Sequence, residues 1–481
     1  MKVSSFIKDF SIYGVGGVVT RFVGLLTTPI YSRFLDTEGM GELELVNAIS
    51  AVVIILASLE MHSGYARSYY ESKSTNSLLA LRGSLVIYFF LISVFLILVY
   101  LSSYDFIHAW LTIIDVSLLT PIFVSIFPIL LITLVLVTIR FEERPILYSI
   151  ITFLNVAGVA FFGIISVAVY DFGVHGILWS NAIVSWVVCI SLFLMLPKYT
   201  SFSFELTHFK KVFAYSAPIT PSVLGGWLNQ NAGRIFIAGS VSLSALGIYS
   251  IALKVALIMS MATYAFRLAW SPRAMQYFSE KNSESRFSLT LNYYLIAFGF
   301  LTVFIISFGP LLVRVLAPEA FYQAAAFIGF LVVSQMWEGA SDILGSGNNW
   351  ERKTYYNSIG SITGGLISIT ILYFWIEQGG LLAASVALLV GSLVKVFLSL
   401  ATSQRNHYIG YSYSSLLALC IVTIIYACFC YLVFIYINVA WWQLSIIYFC
   451  VGITIMWIAE RVVLKGELVS LVFSCWRSCC R

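Results

Sequence analysis

Apolar residues run through this chain in long unbroken blocks, not at the alternating or 3.6-residue intervals of a soluble domain. Fourteen blocks can be drawn, near residues 10–34, 41–60, 84–103, 118–138, 146–169, 175–196, 212–233, 244–267, 289–310, 322–342, 355–376, 380–402, 414–437 and 441–463. At about 1.5 Å rise per residue, a helix of roughly 20 residues crosses the hydrocarbon core of a bilayer. The pattern therefore predicts an all-α polytopic membrane protein with about fourteen transmembrane helices. The connections are short, and none has the length of a folded soluble domain.

Composition strengthens that reading. Of the 481 residues, 60% are hydrophobic and 10% charged, against about 25% charged in soluble domains. An aromatic share of 16% fits belts of Trp and Tyr at both membrane surfaces. The charges also set an orientation. With the N-terminus inside, 21 of the 27 Lys and Arg residues fall on inner segments, among them Lys2, Arg67, Lys73, Arg140, Lys210, Arg273, Arg352, Arg405 and Arg461. Outer ends carry Arg33, Arg234 and Arg314. This asymmetry predicts an even number of helices with both termini cytoplasmic. It also accounts for the net charge of +5 without a nucleic-acid partner.

Little else in the chain suggests chemistry. Cys189, Cys420, Cys428, Cys430 and Cys450 lie in apolar blocks as small hydrophobes. Cys475, Cys479 and Cys480 crowd the C-terminus without zinc-site spacing, where lipidation is an option. The first apolar run is too long for a cleavable signal peptide. The five histidines are scattered, and the Gly345–Gly347 turn lacks the lysine of a phosphate loop, so no metal or cofactor is expected.

The informative positions are those that break the apolar pattern. Phe10–Phe34 carries Arg21 near its middle, on a face shared with Gly14, Gly17, Gly24 and Thr28. A charge at that depth costs at least about 2.5–3.5 kcal/mol, so it is expected to face a wet cavity or a neighbouring helix. Lys254 sits mid-block, with Gly247, Ser250 and Met261 on its face. Lys395 lies deeper toward the cytoplasm, between Gly391 and Ser399, within snorkelling range of the surface. No Asp or Glu reads as comparably deep. Glu338 and Asp342 form an i,i+4 pair, either an inner gate with Arg267 or Arg352 or, more simply, a solvated helix end. Three cations without deep acids predict a positive interior suited to an anionic solute or lipid head group.

The seventh block combines Pro218, Pro221, Gly225 and Gly226 with Asn229, Gln230 and Asn231. Proline removes a helical hydrogen bond, so a kink is expected there, lining a cavity or merely static. Arg234 and Asn229 from this region join Arg21, Lys254 and Lys395 as the candidate substrate-binding set. The spacings Gly360–Gly364 and Gly17–Gly24 suit close helix packing. A shift of 206 residues lays Gly41 on Gly247 and Arg67 on Arg273. Six spans separate these copies, so the implied repeat is parallel.

Three stretches carry a family resemblance. TPIYSRFLDTEGMGELEL (Thr28–Leu45), ALGIYSIALKVALI with AFRLAWSPRAMQYF (Ala245–Phe278) and LAPEAFYQAAAFI (Leu316–Ile328) resemble the first helix and outer turn, the eighth helix and the ninth-to-tenth connection of polysaccharide flippases. This is the polysaccharide-transport branch, often called Wzx or O-antigen flippases, of the multidrug/oligosaccharidyl-lipid/polysaccharide exporter superfamily. The resemblance implies two six-helix lobes plus two C-terminal helices, here residues 1–200, 201–405 and 406–481. It implies translocation of an undecaprenyl-diphosphate-linked oligosaccharide, such as an O-antigen unit, across the bacterial inner membrane by alternating access. Cavity cations of that family would correspond to Arg21 and Lys254, with Lys395 a weaker match. Expected partners are the lipid-linked substrate, membrane lipids and a polysaccharide polymerase.

Competing readings are a drug or metabolite antiporter on the same fold, a membrane-embedded polymerase or glycosyltransferase, and a structural subunit. The antiporter usually needs a buried carboxylate, which the sequence reading does not find. The enzyme needs a large outer loop, and connections near 102–117 and 309–321 are short. Three intramembrane cations weigh against a purely structural role.

Overall fold

Among the described residues the apolar blocks fold as helices. The computed structural model describes residues 22–463, apart from 75–76, 111, 197–198, 200–201, 281–283, 352, 354 and 438. Among the described residues there are no strands, and eleven helices are long and apolar enough to cross a membrane. The sequence reading of fourteen does not map one-to-one onto these eleven. The first block lies partly outside the described residues. The seventh is diluted by Asn229, Gln230, Asn231 and Arg234, and the eleventh and twelfth run together in one long helical segment.

The chain divides into two units: residues 1–227 with 237–247, and 228–236 with 248–481. The first contains α1 (22–34), α2 (Thr37–Ser58), α3 (Met61–Ser74), α4 (Leu78–Ser102), α5 (Tyr104–Trp110), α6 (Thr120–Phe141), α7 (Pro145–Ala168), α8 (Gly173–Met195) and α9 (Leu206–Ser216). Two of its helical starts carry side-chain caps. The Asp36 carboxylate accepts from the Gly39 N–H at 2.7 Å to open α2, and Asp115 does the same for Ser117 at 2.9 Å just before α6. Helix α6 is the core element, with Ile126, Leu130, Leu131, Leu134 and Val135 almost fully buried. Polar groups toward its C-terminal end are satisfied locally. Tyr65 Oη and Thr138 Oγ1 lie 2.9 Å apart, and Thr138 also donates to Leu134 O. Where no water is at hand, such groups must pair within the protein. By contrast, α7 leaves Ile146, Ile150, Phe153, Leu154, Phe161 and Phe162 exposed, a surface that suits lipid.

The repeat has a structural counterpart within this first unit, which takes in the start of α11 (Leu243–Ser279). A Cβ at Gly41 would lie 1.9 Å from Leu243 O, and one at Gly247 would lie 1.9 Å from Thr37 O. Thr37 and Leu243 are themselves 206 residues apart, as are Gly41 and Gly247. The contact is reciprocal, as across a two-fold axis.

The second unit is built around α13 (Ile328–Leu344), with α12 (Glu284–Leu316), α14 (Ser346–Trp350), α15 (Tyr355–Asn406), α16 (Tyr413–Tyr436) and α17 (Trp441–Val463). Within α15, Gly380 adopts φ 51° and ψ −128°, a conformation that favours glycine. The two halves fold back on each other there. A Cβ at Gly364 would sit 2.5 Å from Gly391 O, one at Gly360 3.3 Å from Lys395 O, and Ser368 donates to Ala387 O at 2.8 Å. Those pairs run in opposite directions along the chain, so α15 is an antiparallel hairpin. Gly360 and Gly364 thus serve the expected close packing. Gly24 does not: among the described residues nothing lies within 4 Å of a Cβ built on it, and Gly17 is outside them.

Candidate functional site

The proline-rich seventh block is α9, a single 3-10 turn at Ala217–Ile219, then α10 (Thr220–Ser240). Pro218 sits in that turn and Pro221 in the first turn of α10, where a missing N–H costs little. This break precedes Asn229 by two to three helical turns.

Asn229 is buried in the second unit, and both ends of its amide are engaged. Its Nδ2 donates to Ser392 Oγ at 3.2 Å, and its Oδ1 accepts from Ser368 Oγ at 2.6 Å. Gly391 makes this possible: a Cβ there would fall 2.1 Å from Asn229 Oδ1. One residue on, Gln230 Oε1 accepts from Gln335 Nε2 of α13 at 3.2 Å. Asn229 and Gln230 thereby connect α10 to both α15 and α13.

From Gln335 a polar stripe continues along α13. Gln335, Glu338 and Asp342 fall at i, i+3 and i+7, hence on one face. The rest of the helix is apolar and sealed, with Leu331, Val332, Val333, Met336, Trp337 and Ala340 at 1% exposure or less. On α15 the facing residues Ser392, Lys395 and Ser399 keep the same spacing. Lys395 Nζ pairs with Glu338 Oε1, both side chains being about one-fifth exposed. Arg267 Nε of α11 donates to Asp342 Oδ2 at 2.6 Å. The other Glu338 oxygen, Oε2, is buried without a hydrogen-bond partner.

This corrects two expectations. Glu338 meets Lys395 at about one-fifth exposure instead of solvent, and Lys395 is not a cation lacking an acid at its depth. The reason is tertiary: α13 is the central helix of its unit, so Glu338 is largely covered, while Asp342, 30% exposed beside a half-exposed Arg267, stays partly open. The predicted inner gate partner Arg267 is present on Asp342. Arg352 lies outside the described residues. Sequence reasoning also missed Gln335, although its i, i+3, i+7 spacing to Glu338 and Asp342 was the available signal.

The remaining candidates are placed less densely. Lys254 is half-buried on α11, flanked by the fully covered Ile251, Ala252, Val255 and Ala256. Arg234 is half-buried one turn beyond Gln230. Arg21 lies outside the described residues. The structure brings Asn229 beside Ser392 and Lys395 beside Glu338, in one polar seam. Among the described residues no cluster of His, Cys, Asp and Glu could hold a metal ion. What the seam offers is a set of exchangeable contacts: two cations, two carboxylates and three amides, with a spare carboxylate oxygen at Glu338.

Beyond the C-terminal end of α13 lies a second polar network. Asn348 Nδ2 donates to Asn357 Oδ1 and Thr402 Oγ1, and its Oδ1 accepts from Asn406 Nδ2 at 2.8 Å. The Gly347 N–H donates to Ser403 Oγ at 2.9 Å. The glycine turn beside α14 is therefore a packing joint between α13 and α15.

Known proteins resemble the chain in sequence and in fold. A family described as polysaccharide biosynthesis protein matches residues 30–316. A Haemophilus influenzae protein of the Lsg locus is 25% identical over 330 residues, covering 65% of this chain and 74% of its own. In structure the chain is similar to the lipid II flippase MurJ in an inward closed conformation, with TM-score 0.72 and 13% identity over 95% of this chain and 99% of that one. It is also similar to an inward-facing multidrug resistance MATE family transporter of the MOP superfamily, with TM-score 0.67 and 12% identity over 80% and 94% of the two chains. At such identities the likeness is one of fold.

Proposed function

Because the chain belongs to the polysaccharide biosynthesis protein family, we propose that it is a flippase that moves a lipid-linked oligosaccharide across the bacterial inner membrane. The observation that carries this reading is the fold shared with a lipid II flippase over 95% of the chain. The substrate would be an undecaprenyl-diphosphate-linked repeat unit of O-antigen type, handed on to a polysaccharide polymerase. Two lobes, residues 1–200 and 201–405, would alternate access to a central cavity, with 406–481 appended and both termini cytoplasmic.

In this reading Arg21 and Lys254 carry the diphosphate. An anion entering from the membrane would be attracted to these cations, and the attraction is stronger away from bulk water. Lys395 and Asn229 must first release Glu338 and the two serines, so they would act only once those contacts exchange. Arg234 would meet the substrate near the outer end. The antiporter alternative gains one observation, the carboxylates of Glu338 and Asp342 inside a membrane-spanning helix.

The deciding experiment is mass spectrometry of lipid extracts after deletion of the gene. A flippase leaves its lipid-linked oligosaccharide accumulating, and the restored chain clears it and returns surface glycan. Unchanged lipid-linked intermediates together with drug-stimulated proton flux in vesicles would replace this reading by the antiporter.

A further inference from the structure

A second cation site lies in the second unit, apart from the seam. Arg314 occupies the last turn of α12, where the helix dipole favours a positive charge. Its guanidinium stacks on Tyr322 at 4.2 Å from the ring centroid and lies 5.9 Å from that of Trp441. Among the described residues no carboxylate pairs with it. It opens onto a cavity of about 290 Å³ whose other walls include Pro310, Phe434 and Leu444. Cation–π contact with the two rings leaves the guanidinium N–H groups able to donate to an acceptor. The pocket therefore joins a held cation to the apolar side chains of Pro310, Phe434 and Leu444.

Depth identifies the acceptor. Trp441 opens α17 and Tyr436, also in the lining, closes α16, and Trp and Tyr at the ends of membrane helices mark head-group level. The anion found at that level is lipid phosphate, and Arg offers its oxygens paired donors. We propose that Arg314, Tyr322 and Trp441 form a binding site for the phosphate of a lipid head group, with the first carbons of its chains against Pro310, Phe434 and Leu444. The site does not depend on what the seam transports. Its source is either a bulk phospholipid or a polyprenyl phosphate.

Native mass spectrometry of the full-length protein, delipidated and then titrated with phosphatidylglycerol, tests this, with diacylglycerol as the phosphate-free probe. Wild type should retain phosphatidylglycerol and not diacylglycerol. Arg314→Ala should weaken retention roughly tenfold or more, the loss of a charge-assisted hydrogen bond. Arg314→Lys should fall between, and Tyr322→Leu should weaken binding while keeping the charge. These two carry the test if Arg314→Ala does not fold. Displacement by polyprenyl phosphate assigns the site to that carrier, and its failure assigns it to bulk phospholipid. Equal retention of both probes, or phosphatidylglycerol retention unchanged in Arg314→Lys and Tyr322→Leu, would overturn the proposal. So would an anion signal from inorganic phosphate alone with no lipid held.

Discussion

Helices α6 and α13 are the most enclosed elements of their respective units, and they are enclosed for different ends. Helix α6 is apolar almost all round, and its buried hydroxyls are satisfied locally, Thr138 by Tyr65 and Leu134 O and Ser125 by Ile122 O. Helix α13 is as tightly packed over Leu331–Ala340, yet it devotes one face to Gln335, Glu338 and Asp342, matched by Lys395 and Arg267. Burying such charges is costly, and an apolar substitute of similar volume is often as stable or more so. Packing alone therefore explains α6 but not α13. The difference is one of chemistry: α13 carries a paired ionic face that α6 lacks.

The comparison can be broken at Glu338. Glu338→Ala leaves Lys395 buried without its partner, and the expected loss is about 3–5 kcal/mol. Thermal unfolding in detergent should show it, and Glu338→Leu with Lys395→Met should recover most of the stability but not glycan export. Export at wild-type level from that double variant would mean the seam is only structural. Leu134→Ala sharpens the other side. A fully buried leucine truncated to alanine costs about 2–5 kcal/mol, so protein level should fall while export per molecule persists. A smaller effect is expected from Tyr65→Phe, which removes one satisfied hydrogen bond and should cost about 1 kcal/mol. Any loss of export per molecule there would give α6 more than a supporting role.

The smallest effect concerns pH. Ser117, through its hydroxyl and then its N–H, holds the Asp115 carboxyl below its ordinary value. A depressed folded-state pKa contributes stability above the unfolded value and loses it as pH falls through the folded one. Asp115→Asn should therefore unfold slightly earlier than wild type at neutral pH. The two melting curves should converge in acid, and a constant gap down to low pH would remove Asp115 as a charged cap.

Sequence alone disclosed the membrane class, the separation of the eleventh and twelfth blocks and the packing role of Gly360 and Gly364. These are local or compositional properties. It placed Arg67 and Lys73 in an inner loop, whereas Met61–Ser74 is helical. Tyr65, Ser68, Tyr69 and Ser72 form a buried face at helical spacing there, a pattern hidden by their polarity. Of the candidate site, residue types were legible but partners were not. Whether Glu338 meets water or Lys395 depends on α15 folding back at Gly380, which no pattern within α13 records. Asn229 was singled out for its polarity, and only the approach of Gly391 reveals that its amide is already committed.

The reciprocal contact of Gly41 and Gly247 bears on how the repeat is remembered. Two copies of a duplicated segment are free to drift apart wherever each meets its own surroundings. Here each glycine faces the backbone of the other copy, so neither can gain a side chain unless the opposite copy retreats. The same veto acts on both positions, from the same distance. A side chain added at either glycine would thus be felt by the backbone around the other, so the two positions constrain each other.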